Sequence, residues 1–182
     1  MESKTNAKRQ LILNTAKHII LDHDFNALTL DAVAKQAGIS KGGLLYHFPN
    51  KEALIKGLAL FVFEEMNATF EKNAEADPIE AGKWTRALIE AARLDLEHHA
   101  ELNVGVFAAS LLDPDASVHI SHSYQAILSK LDDDGIDPVT ATIIRLAIDG
   151  LYYAQMLNVA PVEKEMRQEV IRRLLAMTKK EG

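Results

Sequence analysis

The sequence predicts an all-α fold of about nine helices, and three observations carry that prediction. Apolar residues recur at three- and four-residue steps through most of the chain. Strand-like alternation is weak throughout, and capping residues, Gly and Pro punctuate the periodic stretches at helix-length intervals. No internal repeat, low-complexity tract or long linker is visible. The expected organisation is a three-helix N-terminal domain over residues 1–55 and a helical body over residues 56–182.

Taken in order, a first helix is expected from about Asn6 to Asp22, with Leu11, Ile12, Ala16, Ile19 and Ile20 on one face and Lys8, Arg9 and Lys17 outside it. Phe25 follows as a core anchor. Thr29 is placed to cap a short helix whose Leu30, Val33, Ala34 and Ala37 form one apolar stripe. Gly38 falls where that helix must stop and the chain must take positive φ, and Ile39 plugs the turn from below. Ser40 caps a second short helix, Lys41 to His47, on which Leu44 points back to the first, and Ala34 is small where the two cross. Phe48-Pro49 breaks the chain, and Asn50 opens a long helix to about Ala76.

Asp77-Pro78-Ile79-Glu80 reads as a helix start, with a cap, Pro at the first helical position and Glu completing a capping box. That helix is expected to reach about His99. Four more follow: Asn103 to Leu112, Asp113-Pro114 to near Asp134-Gly135, Asp137-Pro138 through Leu157, and Pro161 to about Lys179.

Composition narrows the function. The chain has 182 residues, 48% apolar and 25% charged, which suits a soluble globular protein with one sizeable core or two small ones. There is no cysteine, so disulfides, thiol catalysis and thiolate zinc sites are excluded, and a reducing cytoplasm fits. The polar start MESKTNAKRQ lacks the apolar stretch of a signal peptide, and the longest strictly apolar run, Leu58 to Phe63, is too short to span a bilayer. The net charge is -6, yet residues 1–60 hold eight Lys and Arg against five Asp and Glu. A basic end on an acidic body is compatible with a polyanionic partner, because phosphate attraction depends on the face presented. The motifs of serine hydrolases, nucleotide-binding loops and zinc proteases are missing, and no Glu-x-x-His pair suits a di-iron bundle. Neither catalysis nor a cofactor is expected.

The segment Thr29 to Leu54 supplies what a helix-turn-helix needs: cap, apolar stripe, Gly turn, second cap and a short second helix. An ordinary helical hairpin shares some of these features. At Ser40-Lys41-Gly42-Gly43-Leu44-Leu45-Tyr46-His47-Phe48 and Asn50-Lys51-Glu52-Ala53-Leu54, the chain resembles the DNA-binding domain of the TetR family of bacterial transcriptional regulators. The resemblance is specific over the first third of the chain. Beyond it the likeness is one of helical style, with a late Asp149-Gly150-Leu151. Leu45 stands where members often have Tyr, so Tyr46 is expected to carry more of the aromatic contact.

Lys41 and the start of its helix can meet phosphate or base edges, while Gly42 and Gly43 let the backbone approach the groove. Each Gly costs about 1 kcal/mol against Ala within a helix, which gives close approach a reason; a frayed first turn is the alternative. The resemblance implies phosphate contacts from Thr29, Tyr46 and Lys51, with His47 beside them. Together with Ser40 and Leu45 these residues make up the expected double-stranded DNA interface.

For the body, the resemblance to ligand-responsive regulators implies a small-molecule effector, for which Phe61, Trp84, Leu88, Phe107, Leu111, Tyr124, Tyr152 and Met156 are candidate lining residues. Plain core packing is the competing role for each. Ile143, Ile144, Ala147, Ile148 and Leu151, with Val170, Ile171, Leu174 and Leu175, form stripes suited to a homodimer interface, and ordinary intramolecular burial explains part of this equally well. His98, His99, His119 and His122 lie in two clusters, and a metal such as zinc or nickel could be shared there, with Asp95 or Asp149 completing the shell. The expected function is a cytoplasmic, homodimeric repressor of a palindromic operator, released by an effector, with no membrane partner. The alternatives are a metal-sensing regulator and a helical ligand-binding module that does not bind DNA.

Overall fold

A computed structural model describes residues 2–98 and 114–179. The described residues form eight α-helices: α1 (Glu2–Asp22), α2 (Leu30–Gln36), α3 (Lys41–His47), α4 (Lys51–Ala76), α5 (Lys83–His98), α6 (Pro114–Leu131), α7 (Pro138–Met156) and α8 (Lys164–Met177), with a 3-10 turn at Phe25–Ala27. The expected helix Asn103 to Leu112 lies outside the described residues. Among those described, no helix is long and apolar enough to cross a membrane.

The chain divides into two compact units. The first contains residues up to Phe63 and the start of α6 to Ile120; the second contains residues from Glu64 and from Ser121 onward. In the first unit, Ile12, Leu13, Ala16, Ile19 and Ile20 of α1 meet Val33 and Ala34 of α2, Leu44 of α3, and Leu54 and Leu58 of α4. Leu44 is fully buried, which contributes about 1.5–3 kcal/mol to holding α3 in place. A Cβ added at Gly57 would stand 2.5 Å from Cε1 of Phe48, so only glycine lets α4 pass that ring.

In the second unit α5 is buried on two sides. Ile89, Ala92 and Leu96 face Ile144, Ile148 and Leu151 of α7 and Ile171 and Leu174 of α8. Ala87, Leu88 and Ala91 face Phe70 and Ala74 of α4 and Ile127 and Leu131 of α6.

The start of α5 corrects the sequence reading. Asp77 does not cap it: the helix begins at Lys83, after Gly82 at φ +80°. Asp77 accepts from the Ile79 backbone N–H at 2.9 Å and pairs with Arg86 at 2.6 Å, and Glu80 pairs with Lys83 instead of closing a capping box. The carboxylate that satisfies the α5 N–H groups comes from Asp134, about fifty residues on, which accepts from Trp84 at 3.0 Å and Thr85 at 2.7 Å. The Gly82 N–H also donates to the Asp134 carbonyl, at 2.6 Å. A helix packed on both flanks cannot leave these donors to water, so a buried acceptor has to be supplied.

Candidate nucleic-acid interface

The turn between α2 and α3 is built as its sequence requires. Thr29 Oγ1 accepts from the Ala32 N–H at 3.1 Å and Ser40 Oγ from the Gly43 N–H at 3.1 Å, so each short helix has its cap. Gly38 takes φ +67°, its N–H donates to Lys35, and the Ile39 N–H donates to Ala34 at 3.0 Å, which closes α2 and reverses the chain. Asn50 Oδ1 caps α4 by accepting from the Ala53 N–H at 2.7 Å. Caps and turn therefore fix α3 against α2 through Val33, Ala34 and Leu44, and leave the opposite face of α3 outward.

That outward face carries Tyr46, 79% exposed, and Gly42, around which a Cβ would meet nothing within 4 Å. Gly43 is different, since a Cβ there would come 3.2 Å from Ser40 Oγ and press on the cap. Leu45 and His47 are half-buried, and the His47 ring stands edge-on to Tyr46 with centroids 5.1 Å apart. Lys51 begins α4 with its ammonium 5.7 Å from the centre of the Phe25 ring. Lys41 is exposed and paired with Asp31 of α2. Thr29, Ser40, Lys41, Gly42, Gly43, Leu45, Tyr46, His47 and Lys51 thus lie on one compact unit, with the glycine and the tyrosine on its open side. Two contacts of this region went unread in the sequence: that of Asp31 with Lys41, and that of Arg9 of α1, whose guanidinium lies 5.3 Å from the centre of the Phe48 ring. Neither partnership has a local signature, because ten and thirty-nine positions separate the partners.

The two other sets of expected residues are rearranged. Phe61 is buried in the core of the first unit. Trp84, Leu88 and Tyr124 pack in the α4–α5–α6 cluster, Tyr152 packs beside the α5–α7–α8 cluster, and Met156 is half-buried. Phe107 and Leu111 lie outside the described residues. The assigned dimer stripe is also displaced: Ile144, Ile148, Leu151, Ile171 and Leu174 are buried in the second unit's own core, with Leu175 against it. Intramolecular packing consumes that face. The apolar residues of α7 that remain in solvent are Val139, Ile143, Leu146 and Tyr153, which with exposed Gly150 and with Leu157 just past the helix end follow an alternating four- and three-residue step.

A polar cluster crosses α5, α6 and α7. The Tyr152 hydroxyl donates to Asp95 Oδ2 at 2.8 Å, and the Tyr124 hydroxyl donates to Asp149 Oδ1 at 2.5 Å, with Arg145 3.7 Å from Asp149. Burial, followed by the charge and hydrogen bond of Asp95, pushes the Tyr152 phenol far above its ordinary range. Burial and then the Asp149 hydrogen bond do the same to Tyr124. His119 and His122 are exposed one turn apart on α6, whereas His99 and the side chain of His98 lie outside the described residues. No group of three or more metal-ligating side chains occurs among the described residues.

Family models settle the classification. The model described as "Bacterial regulatory proteins, tetR family" matches residues 12–58, and that described as "Tetracyclin repressor-like, C-terminal domain" matches residues 82–179. The chain belongs to the TetR family. The chain is similar to the HTH-type transcriptional regulator UidR of Escherichia coli (strain K12), 28% identical over 131 residues that cover 70% of this chain and 64% of the regulator. It thus spans just under two thirds of the length of that regulator. A TetR family transcription regulator from Marinobacter aquaeolei VT8 shares the fold, with a TM-score of 0.63 at 17% identity over 97% of this chain and 98% of that one. So does the multidrug binding protein EbrR complexed with ethidium, with a TM-score of 0.61 at 22% identity over 92% of this chain and 98% of that one.

Proposed function

We propose that the chain is a homodimeric transcriptional repressor that reads a palindromic operator through α3 and is released from it by a small-molecule effector bound in the second unit. The observation that carries the reading is Tyr46: a large aromatic, 79% exposed, standing on the outer face of a capped short helix beside an open-sided glycine. Among the described residues of this unit the other Phe and Tyr side chains are buried or half-buried, so burial of apolar area does not account for it. Thr29, Tyr46 and Lys51 would hold phosphates while Lys41, Gly42 and Gly43 meet the groove. No catalysed reaction is part of this activity, and its place is the cytoplasm, with the DNA.

One seven-residue helix reads few base pairs, so two copies about 34–36 Å apart would read a palindrome. For the self-association we take the outward stripe of α7, Val139, Ile143, Leu146, Gly150 and Tyr153, continued by Leu157 at its C-cap, whose spacing suits packing of one helix on its symmetry mate. Effector contacts are assigned to Trp84, Leu88, Tyr124, Tyr152 and Met156. That EbrR holds ethidium supports a small organic ligand in a body of this fold. The effector must prefer the released form, typically by about 1–3 kcal/mol, because tight binding without preference regulates nothing.

The test is selection of duplexes from a random pool by the purified protein, repeated with Tyr46→Ala. Enrichment of a palindrome by the wild type, lost in the variant, is the expected result. Absence of enrichment at low salt, with or without added zinc, would replace the repressor by a DNA-independent helical module.

A further inference from the structure

Lys41 begins α3 on the face assigned to DNA, yet its charge is already matched. Its ammonium lies 2.9 Å from Oδ1 and 3.0 Å from Oδ2 of Asp31, in the first turn of α2. The two side chains are 57% and 73% exposed, so the pair contributes little to folding. Val33, Ala34 and Leu44 already hold the two helices together. The bridge therefore calls for a reason other than stability.

Its electrostatic effect supplies one. An ammonium paired with a carboxylate adds no net charge to this face, so its pull on a phosphate is weaker than that of an unpaired lysine. Around it the first turn of α3 offers backbone at Gly42 and Gly43, with the aromatic Tyr46 a turn further on. Sequence-independent binding is driven by counterion release from phosphates, and each free lysine adds to it for every duplex alike. Lysine sits on a flexible four-carbon stem, so without Asp31 it would take whichever phosphate is near in a non-specific complex. At a selected site the register is fixed by base-edge contacts and it gains less.

We propose that Asp31 is a specificity-determining residue, which pairs with Lys41 so that this lysine meets the groove at a selected site without binding the phosphates of every sequence alike. The inference rests on the DNA-binding reading above and names a residue outside it. Asp31 acts through Lys41; its own contact with a base is not required.

The experiment measures binding against salt for two duplexes, the site that the wild type selects from a random pool and a shuffled duplex of equal length. The proteins are wild type, Asp31→Asn, and Asp31→Asn with Lys41→Met. Asp31→Asn is expected to bind the shuffled duplex about fivefold to tenfold tighter at ~0.1 M salt, with its log–log salt slope steeper by about 0.9. The ratio of selected to shuffled affinity falls accordingly. Adding Lys41→Met removes both increments, because the freed lysine is their source. The proposal is overturned if Asp31→Asn keeps the wild-type slope and ratio, or if the increments survive the loss of Lys41. Helical circular dichroism and the melting curve of each variant establish that it is folded. A wild-type protein that binds neither duplex at any salt defeats the DNA-binding reading itself, an outcome visible before any variant is compared.

Discussion

Replacing Asp134 by Ala should unfold the second unit more easily than any ordinary loss of a helix cap. The carboxylate is only 4% exposed and accepts from two backbone donors, Trp84 at 3.0 Å and Thr85 at 2.7 Å. Removing a surface N-cap costs about 0.5–2 kcal/mol, because water replaces the lost acceptor. Water does not reach these groups so easily: Thr85 is fully buried, and α5 is packed on both flanks. Each bond to a charged acceptor is worth about 1.5–3 kcal/mol, and an unsatisfied buried donor costs about 1–3 kcal/mol. The two donors share one acceptor and do not add fully, so we expect a loss of about 3 kcal/mol for Asp134→Ala. Asp134→Asn keeps one oxygen without the charge and should lose about half as much. Urea unfolding followed by helical circular dichroism at fixed protein concentration reads both values. In a chain of this length the same loss lowers the melting temperature by about 6–12 °C. A cost below about 1 kcal/mol for Asp134→Ala would refute the reasoning, since it would mean that solvent satisfies the α5 terminus after all.

Gly42→Ala should leave the melting temperature unchanged or slightly raised, because the added methyl meets nothing and Ala favours helix by up to about 1 kcal/mol. The same variant should weaken duplex binding about tenfold or more in a mobility-shift titration if the backbone approaches the groove there. Ile143→Asp with Leu146→Asp, on residues half-exposed in the single chain, should yield a folded monomer in sedimentation velocity. The core variant Ile144→Asp should instead fail to fold, since its side chain is fully buried. Arg86, by its hydrogen bond, holds the Asp77 carboxyl below the ordinary carboxylate range. A folded value depressed below the unfolded one gives stability that is present above the unfolded value and lost as pH falls through the folded one. The urea midpoint should therefore drop as the pH falls through and below the ordinary carboxylate range near about pH 4, and drop less in Asp77→Asn.

What the sequence revealed and what it hid follow from the range of the interactions concerned. Thr29, Gly38, Ser40 and Asn50 each act on backbone within four residues, so their pattern is readable along the chain. The Asp134 cap, the Asp31–Lys41 pair and the Arg9–Phe48 contact join residues ten to fifty positions apart, and nothing local marks them. Asp77-Pro78 misled because a valid start signal competes with a better acceptor brought in by the fold. The apolar stripes of α7 illustrate a different limit. Two stripes share one helix, Ile144-Ile148-Leu151 and Val139-Ile143-Leu146; the sequence reading assigns the first to the interface, and periodicity does not say which one α5 and α8 cover.

The chain holds a single tryptophan, and Lys130 of α6 places its ammonium 4.3 Å from the centre of the Trp84 ring while also pairing with Glu71 of α4. A positive charge seated on an indole sets the local field in which that chromophore absorbs and emits. Any occupant of the second unit that draws α6 away from α5 moves the charge off the ring, so the protein reports such a displacement by its own ultraviolet emission, without a label.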